Sequence, residues 1–263
     1  MSTTTTKNKS LANVLLGDKL YRFLVDKKNN AVHNYHESVW KKERFAFFST
    51  FLTRESLYFD VGANVGNRIE PVLQIGAKVI AVEPQKKCIK ILQEKFGNAI
   101  TIVPKGLGSE VGELEFFISD ASTLSTFSRE QVDVLKDTKF ANYSWNEKEI
   151  IPITTLDILI AEYGKPDFIK IDVEGFETEV LKGLSSPIKL ISFEYTVPEF
   201  THKVVECIEI LERVNPKIEC NYCVGEKMSY VFPTWKTAGE MKAFVQTEQF
   251  KSTNFGDIYI RSN

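Results

Sequence analysis

Ten residues, LYFDVGANVG from Leu57 to Gly66, constrain this chain more than any other stretch. An apolar run ends in Asp60, and a turn carrying Gly62, Asn64 and Gly66 leads into a helical pattern. A strand that delivers its last residues into a glycine-bearing turn and then a helix is how α/β sheets build nucleotide sites at their carboxyl edge. Glycine at 62 lets the backbone turn sharply and lets a ligand approach. Asn64 stands where dinucleotide folds place another glycine, and asparagine tolerates a left-handed conformation. The spacing is therefore Asp-x-Gly-x-Asn-x-Gly, not Gly-x-Gly-x-x-Gly.

From Leu57 onward short apolar runs alternate with helical stretches, the pattern of a mostly parallel sheet with helices on both faces. Strands are expected at Leu57 to Val61, Lys78 to Glu83, Ala99 to Pro104, Asp167 to Val173 and Ile188 to Tyr195. Helices are expected at Asn67 to Gly76, about Lys86 to Phe96, Thr155 to Tyr163, Glu177 to Leu184 and His202 to Val214. Leu114 to Ser119 and Ile150 to Ile153 read as extra arms outside this alternation. The 263 residues, 43% hydrophobic, suffice for one sizeable core.

Ahead of the sheet, residues 11–54 read as a helical segment packed on the core, with Trp40, Phe47, Phe48, Phe51 and Leu52 at helical spacing. Residues 1–10 form a polar tract without the apolar centre of a signal peptide, expected as a disordered tail. A domain spanning 55–263 follows. A net charge of −2 gives no pull toward nucleic acid, and no apolar run approaches the ~20 residues of a membrane span. A cytoplasmic protein is the expectation. The N-terminal helices offer a face to their own domain or, in a homo-oligomer, to a second copy.

Four cysteines, Cys88, Cys207, Cys220 and Cys223, are too few and scattered for a disulfide framework. Cys220 and Cys223 form one C-x-x-C, but Lys217 to Val224 reads as a strand, where such positions face opposite ways. Buried reduced thiols are expected there rather than a zinc or redox site.

Two acids at strand ends define a cofactor. Glu83, followed by Pro84, closes the second strand 23 residues after Asp60, near the ~20-residue spacing of a carboxylate that accepts from ribose hydroxyls. Asp60, just before the glycine turn, suits the sulfonium and amino end of S-adenosylmethionine. A pyrophosphate at that turn would be repelled. S-adenosylmethionine is thus expected, with NAD in a sugar-modifying oxidoreductase as the alternative.

A second segment, PDFIKIDVEGFETEVLKG from Pro166 to Gly183, ends a buried strand in Asp172 and opens a helix with Glu174, Gly175 and Glu177. An extended Lys170–Asp172–Glu174 would put these side chains on one face at the ligand-binding edge. The next strand also finishes in an acid, Glu194.

Together DVGANVG, VIAVEP, ITTLD at Ile153 to Asp157 and IKIDVEGFETEVLKG resemble the FkbM family of S-adenosylmethionine-dependent methyltransferases, over about Leu57 to Tyr195. The resemblance implies an α/β, Rossmann-like class I methyltransferase fold: a mostly parallel seven-stranded sheet whose last strand, Asp257 to Arg261, is antiparallel. It implies O-methylation of a hydroxyl, often on a sugar, glycan or polyketide. Asp60, Gly62, Asn64 and Gly66 would hold the methionine end, Glu83 the ribose, and Gly106 and Leu107 would flank the adenine.

Methyl transfer chiefly requires that an oxygen be aligned with the methyl carbon and relieved of its proton. Asp172 and Glu174 are the first candidates, with Glu177 supporting, Lys170 orienting, and Glu194 close by. Asp172 and Glu194 also occupy positions similar to two metal ligands of catechol-type O-methyltransferases, so Mg²⁺ is a second expectation behind a metal-free general base. N-methylation needs the same in-line geometry and stays open. Phe127, Phe140, Tyr143 and Trp145 could stack on a sugar or pack a lid of their own, Ser122 and Thr123 could bond cofactor or substrate, and Phe232 and Trp235 offer a second wall.

Overall fold

The computed structural model describes residues 39–136 and 142–262. The expected tail, most of the expected N-terminal helices and Phe140 lie outside these residues. The compact unit that carries the sheets begins at Arg44.

The core is set by strands that are apolar on both sides. In β1 (Leu57–Val61), Phe59 and Val61 point to one face and Tyr58 to the other, all at 1% exposure or less. β2 (Lys78–Val82) lies parallel beside it, pairing Phe59 with Ile80, while β7 (Phe168–Ile171) flanks the other edge, pairing Phe59 with Ile169. Alternation therefore builds two cores. Phe59, Ile80, Ile169 and Ile171 belong to one; Tyr58, Val79, Ala81 and Phe168 belong to the other.

Helices cover both. α1 (Ile69–Ile75) and α2 (Lys86–Phe96) bring Ile69, Val72 and Leu92 to the second core. The chain at 44–52 adds Phe47, Phe48 and Leu52 to that core, so this part of the expected N-terminal face is packed. The first core is closed by Leu156, Val180 and Ile208. These sit on α4 (Leu156–Tyr163), α5 (Glu177–Lys182) and α6 (Thr201–Val214). Thr155 caps α4, its hydroxyl accepting from the Ile158 N–H at 3.2 Å.

Beyond β3 (Thr101–Val103) and β8 (Leu190–Thr196), the sheet ends in β9 (Ile218–Val224), β10 (Lys236–Thr237) and β11 (Phe255–Ser262), in the order β10-β9-β11-β8-β7-β1-β2-β3. β11 runs antiparallel to both β8 and β9, as expected for the last strand. The expected seven strands are joined by an eighth. Lys236 and Thr237 lie along the free edge of β9 before Thr237 opens the capping box of α7 (Ala238–Phe244). The arms at 114–119 and 150–153 pair with one another as β5 (Gly112–Ile118) and β6 (Glu147–Thr154). With β4 (Gly106–Leu107) they form a separate three-stranded sheet.

On β9, Cys220 packs in the first core and Cys223 in the second, the opposite-face placement expected of a strand. No helix among the described residues is long and apolar enough to cross a membrane.

Phe168 holds the second core together, stacked on Tyr58 at 5.3 Å and Tyr259 at 6.2 Å between ring centres. Phe168→Ala should cost about 3–5 kcal/mol in denaturant unfolding. Ile150→Ala, at a position 63% exposed on β6, should stay within about 0.5 kcal/mol.

Candidate active site

The carboxyl edge of β1 is shaped by two close backbone approaches. The N–H groups of Gly62 and Ala63 both donate to the Val82 carbonyl, at 3.0 and 3.1 Å, folding the turn over the end of β2. Gly62 has φ of 83°, and a Cβ there would strike the main-chain carbonyl of Asp172. Only glycine lets β1 and β7 end side by side.

Asn64 follows with φ of 47°, the left-handed conformation anticipated for it, and its N–H donates to Glu83 Oε2 at 2.7 Å. The Gln85 N–H donates to the other oxygen, also at 2.7 Å. Glu83 is thus fixed by two amides at 2% exposure, with its remaining lone pairs at the cavity wall. Burial pushes its carboxyl up to about 7, against those two hydrogen bonds. Asp60 accepts from the Tyr58 hydroxyl at 2.8 Å, and burial pushes it up to about 6.

A cavity of about 370 Å³ opens on these groups. Asp60, Gly62, Asn64, Glu83, Pro84, Gly106 and Leu107 all line it. Gly66 does not. Its φ of 79° and missing Cβ instead admit Phe96 and Leu92 of α2, so its service is to packing. Opposite Leu107 stand Phe116 and Phe127, 4.6 Å apart between ring centres.

The acids converge at the same edge. Single carboxylate oxygens of Asp172, Glu174 and Glu194 lie within 4.8 Å of one another. Lys170, 2% exposed, donates to Asp172 Oδ2 at 3.2 Å and to Asp257 Oδ1 at 2.7 Å. Burial would raise the Asp172 carboxyl, but the Lys170 and Arg68 cations outweigh it and hold Asp172 below its ordinary value. Burial, then the Asp172 charge, pushes Glu174 and Glu194 well above theirs. One firm anion therefore sits beside two carboxyls biased toward their protonated form.

Glu174 reaches this cluster from a left-handed backbone, φ 54°, a conformation that costs a non-glycine residue about 1–3 kcal/mol. The strain is held by the Thr126 hydroxyl, which donates to the Glu174 carbonyl at 2.7 Å, and by Glu177. The Glu177 carboxylate turns back to accept from the N–H groups of Val173 and Gly175, at 3.2 and 3.1 Å. It lies outside the cavity, so the expectation that Glu177 joins the acids is corrected: the loop's unpaired amides claim it.

A second cavity of about 380 Å³ shares Thr123, Glu174 and Glu194 with the first. It continues past Gln131, Thr196, Glu199 and Asn254, between Phe200 and Phe255. The two spaces meet at the acid cluster.

The segment after β5 closes over the cofactor turn. Gln85 Nε2 donates to the Ser122 carbonyl at 3.1 Å, and Ser122 and Thr123 line the first cavity. Of the expected aromatics, Phe127 faces that cavity. Trp145 packs with Phe117, Leu124, Val132 and Leu135, its indole donating to the Leu124 carbonyl at 2.8 Å. Tyr143 is exposed. Phe232 and Trp235 form no second wall: Phe232 packs on Tyr222 and Phe244, and Trp235 on Tyr230 and under Arg261.

Four site residues escaped sequence reasoning: Arg44, Arg68, Glu226 and Asp257. Only Arg68, directly ahead of the first sheet helix, stood near a motif. The others arrive from remote segments, Asp257 through its pairing with Glu194 across β11 and β8.

The chain is 28% identical over 142 residues to hexuronic acid methyltransferase AglP of Haloferax volcanii, covering 53% of this chain and 54% of that protein. The chain thus matches about half the length of this curated relative. Among solved structures it is similar to precorrin-6y C5,15-methyltransferase from Geobacter metallireducens, at 12% identity and a TM-score of 0.41, covering 84% of this chain and 87% of that one. It is also similar to a TehB-like S-adenosylmethionine-dependent methyltransferase from Corynebacterium glutamicum, at 10% identity and a TM-score of 0.41, covering 90% and 99%. The family described as the methyltransferase FkbM domain matches residues 60–224, from Asp60 of the glycine turn to the end of β9. That span is more than half of the chain and sets the nicotinamide alternative aside: this protein belongs to the FkbM methyltransferase family.

Proposed function

We propose that the enzyme methylates a hydroxyl of a sugar, glycan or related small-molecule acceptor. One observation carries this reading: a cavity suited to the cofactor and a second cavity of similar size meet at Glu174 and Glu194, whose carboxylates lie within 4.8 Å of that of Asp172 in the first cavity. The similarity to a hexuronic acid methyltransferase supports a sugar as acceptor.

The residues of the first cavity fit S-adenosylmethionine. The turn from Gly62 to Asn64 lines the cavity, and Glu83 presents a fixed carboxylate to a ribose diol. Phe116, Phe127 and Leu107 give apolar walls for a purine. When bound, the cofactor supplies a methyl carbon on a sulfonium, open to in-line displacement.

Within the chain, the acceptor oxygen is held by the acid cluster and aligned by the second cavity. A carboxylate of the cluster would take the proton that this oxygen gives up. Asp172 is the anion of the set and the first candidate for that proton. Lys170 positions it from behind. The Lys170 ammonium on Asp172 Oδ2 already supplies a counter-charge, which favours the metal-free mechanism over one with Mg²⁺.

Asp172→Asn and Glu194→Gln should each lower kcat by about 10²–10⁴-fold, with S-adenosylhomocysteine affinity changed less than tenfold. Methyl transfer to a panel of neutral and acidic sugars, measured by product mass, reads this out. Wild-type turnover kept in excess chelator would support the metal-free form, and loss restored by Mg²⁺ would reverse that choice.

Glu83 makes a pH prediction. Its folded carboxyl titrates near 7 against an ordinary 4.5, so between these values the folded state binds the proton more tightly than the unfolded chain. The contribution of Glu83 to stability without cofactor is fully present below pH 4.5, falls up to about pH 7 and is level above it, by about 3 kcal/mol in all. Glu83→Gln should flatten that slope in denaturation at stepped pH. It should also weaken cofactor binding at pH 8 by about 10–100-fold in calorimetry.

A further inference from the structure

Two arginines close one end of the first cavity. Arg44, on the helical turn at 39–48, and Arg68, at the start of α1, have side chains 6% and 13% exposed. Both reach the same oxygen, Oε2 of Glu226, at 3.1 and 3.4 Å. Arg44 also donates to the Asn67 carbonyl at 3.4 Å, and Arg68 lies 3.9 Å from Asp257. Nη1 of Arg68 is buried with no hydrogen-bond partner.

Glu226 is unlike its partners. It sits in the turn after β9 with its side chain 44% exposed, and it lines the cavity beside them. Burial would raise its carboxyl, but the Arg68 and Arg44 charges outweigh this and keep it ionised. Two buried guanidinium groups thus converge on a single half-exposed carboxylate. That is a carboxylate-binding site carrying a side-chain carboxylate of the protein in place of a ligand's.

We propose that Arg68, with Arg44, binds the α-carboxylate of the cofactor's methionine moiety, and that Glu226 occupies this site until the cofactor displaces it. The position fits. Arg68 shares Asp257 with Lys170, and Lys170 holds Asp172, so the guanidinium stands beside the acids that face the transferred methyl group. Its charge also acts on Asp60. Methionine and ribose leave the sulfonium in different directions, and Glu83 marks the ribose side. The methionine carboxylate is then directed at the arginines, with Asp60 left for its ammonium. A carboxylate on an acceptor sugar is the other source of the same chemistry.

The test is calorimetric, using S-adenosylhomocysteine and its decarboxylated analogue against the full chain. The inference rests on cofactor binding in the first cavity, and that is checked separately by wild-type binding of S-adenosylhomocysteine. Wild type should prefer the carboxylated ligand by about 10–100-fold. Arg68→Met should abolish most of that preference by weakening S-adenosylhomocysteine alone. Glu226→Gln, a milder change in an exposed turn, should strengthen S-adenosylhomocysteine about 3–10-fold and leave the decarboxylated analogue unmoved. Equal losses of both ligands in Arg68→Met, or an unchanged ratio in Glu226→Gln, overturn the proposal. So does an Arg68→Met enzyme that binds S-adenosylhomocysteine normally but loses turnover only with uronate acceptors, which would give the site to the acceptor.

Discussion

The buried ammonium of Lys170 is the interaction on which the rest of this site depends. At 2% exposure it would cost several kcal/mol without partners, and it has two, Asp172 just past the end of its own strand and Asp257 on β11. The pairing joins the centre of the parallel sheet to the antiparallel strand at its far side. It also fixes the ionisation of the acid cluster, because a lysine-bound Asp172 carries the negative charge that disfavours ionisation of Glu174 and Glu194. Remove the ammonium, and three carboxyls in one cavity would compete for protons without a defined order.

From that fixed charge the remaining polar groups follow outward. Asp257 takes Lys170 with one oxygen and faces Arg68 with the other, and Arg68 shares Glu226 with Arg44. The chain of alternating charges runs from Asp172 to the protein segment at 44–52. Its inner members are buried and its last acid is half exposed, so packing holds the inner charges and solvent reaches only the last.

Much of this was legible in the sequence because it depended on short-range pattern. LYFDV and FIKI are strands buried on both faces and read as such. Gly62 and Asn64 could be assigned backbone roles from their residue types alone, and the end of the second strand at Glu83 from the apolar run before it. The acids Asp172, Glu174 and Glu194 were recoverable because each ends or follows a strand. What stayed hidden required partners remote in sequence. Glu177 reads as one more acid, and only the folded loop shows its carboxylate spent on Val173 and Gly175 amides. Gly66 reads as part of the ligand turn until α2 presses Phe96 against it. Arg44, Glu226 and Asp257 carry no motif; register and turn geometry bring them in.

The contact of Gly62 with the Asp172 carbonyl has a further consequence for how such a site can vary. The cofactor turn and the acid-bearing turn touch through backbone, with the Asp172 N–H donating to the Val61 carbonyl at 2.9 Å. Neither can shift by the width of a methyl group without moving the other. The distance between the glycine turn and Asp172 is therefore a property of the sheet, beyond the reach of side-chain substitution. The far wall of the second cavity, by contrast, comes from the turn between β8 and α6, the start of β11 and the segment after β5. Substitutions there reshape the second cavity while the backbone contact between the two turns stays in place.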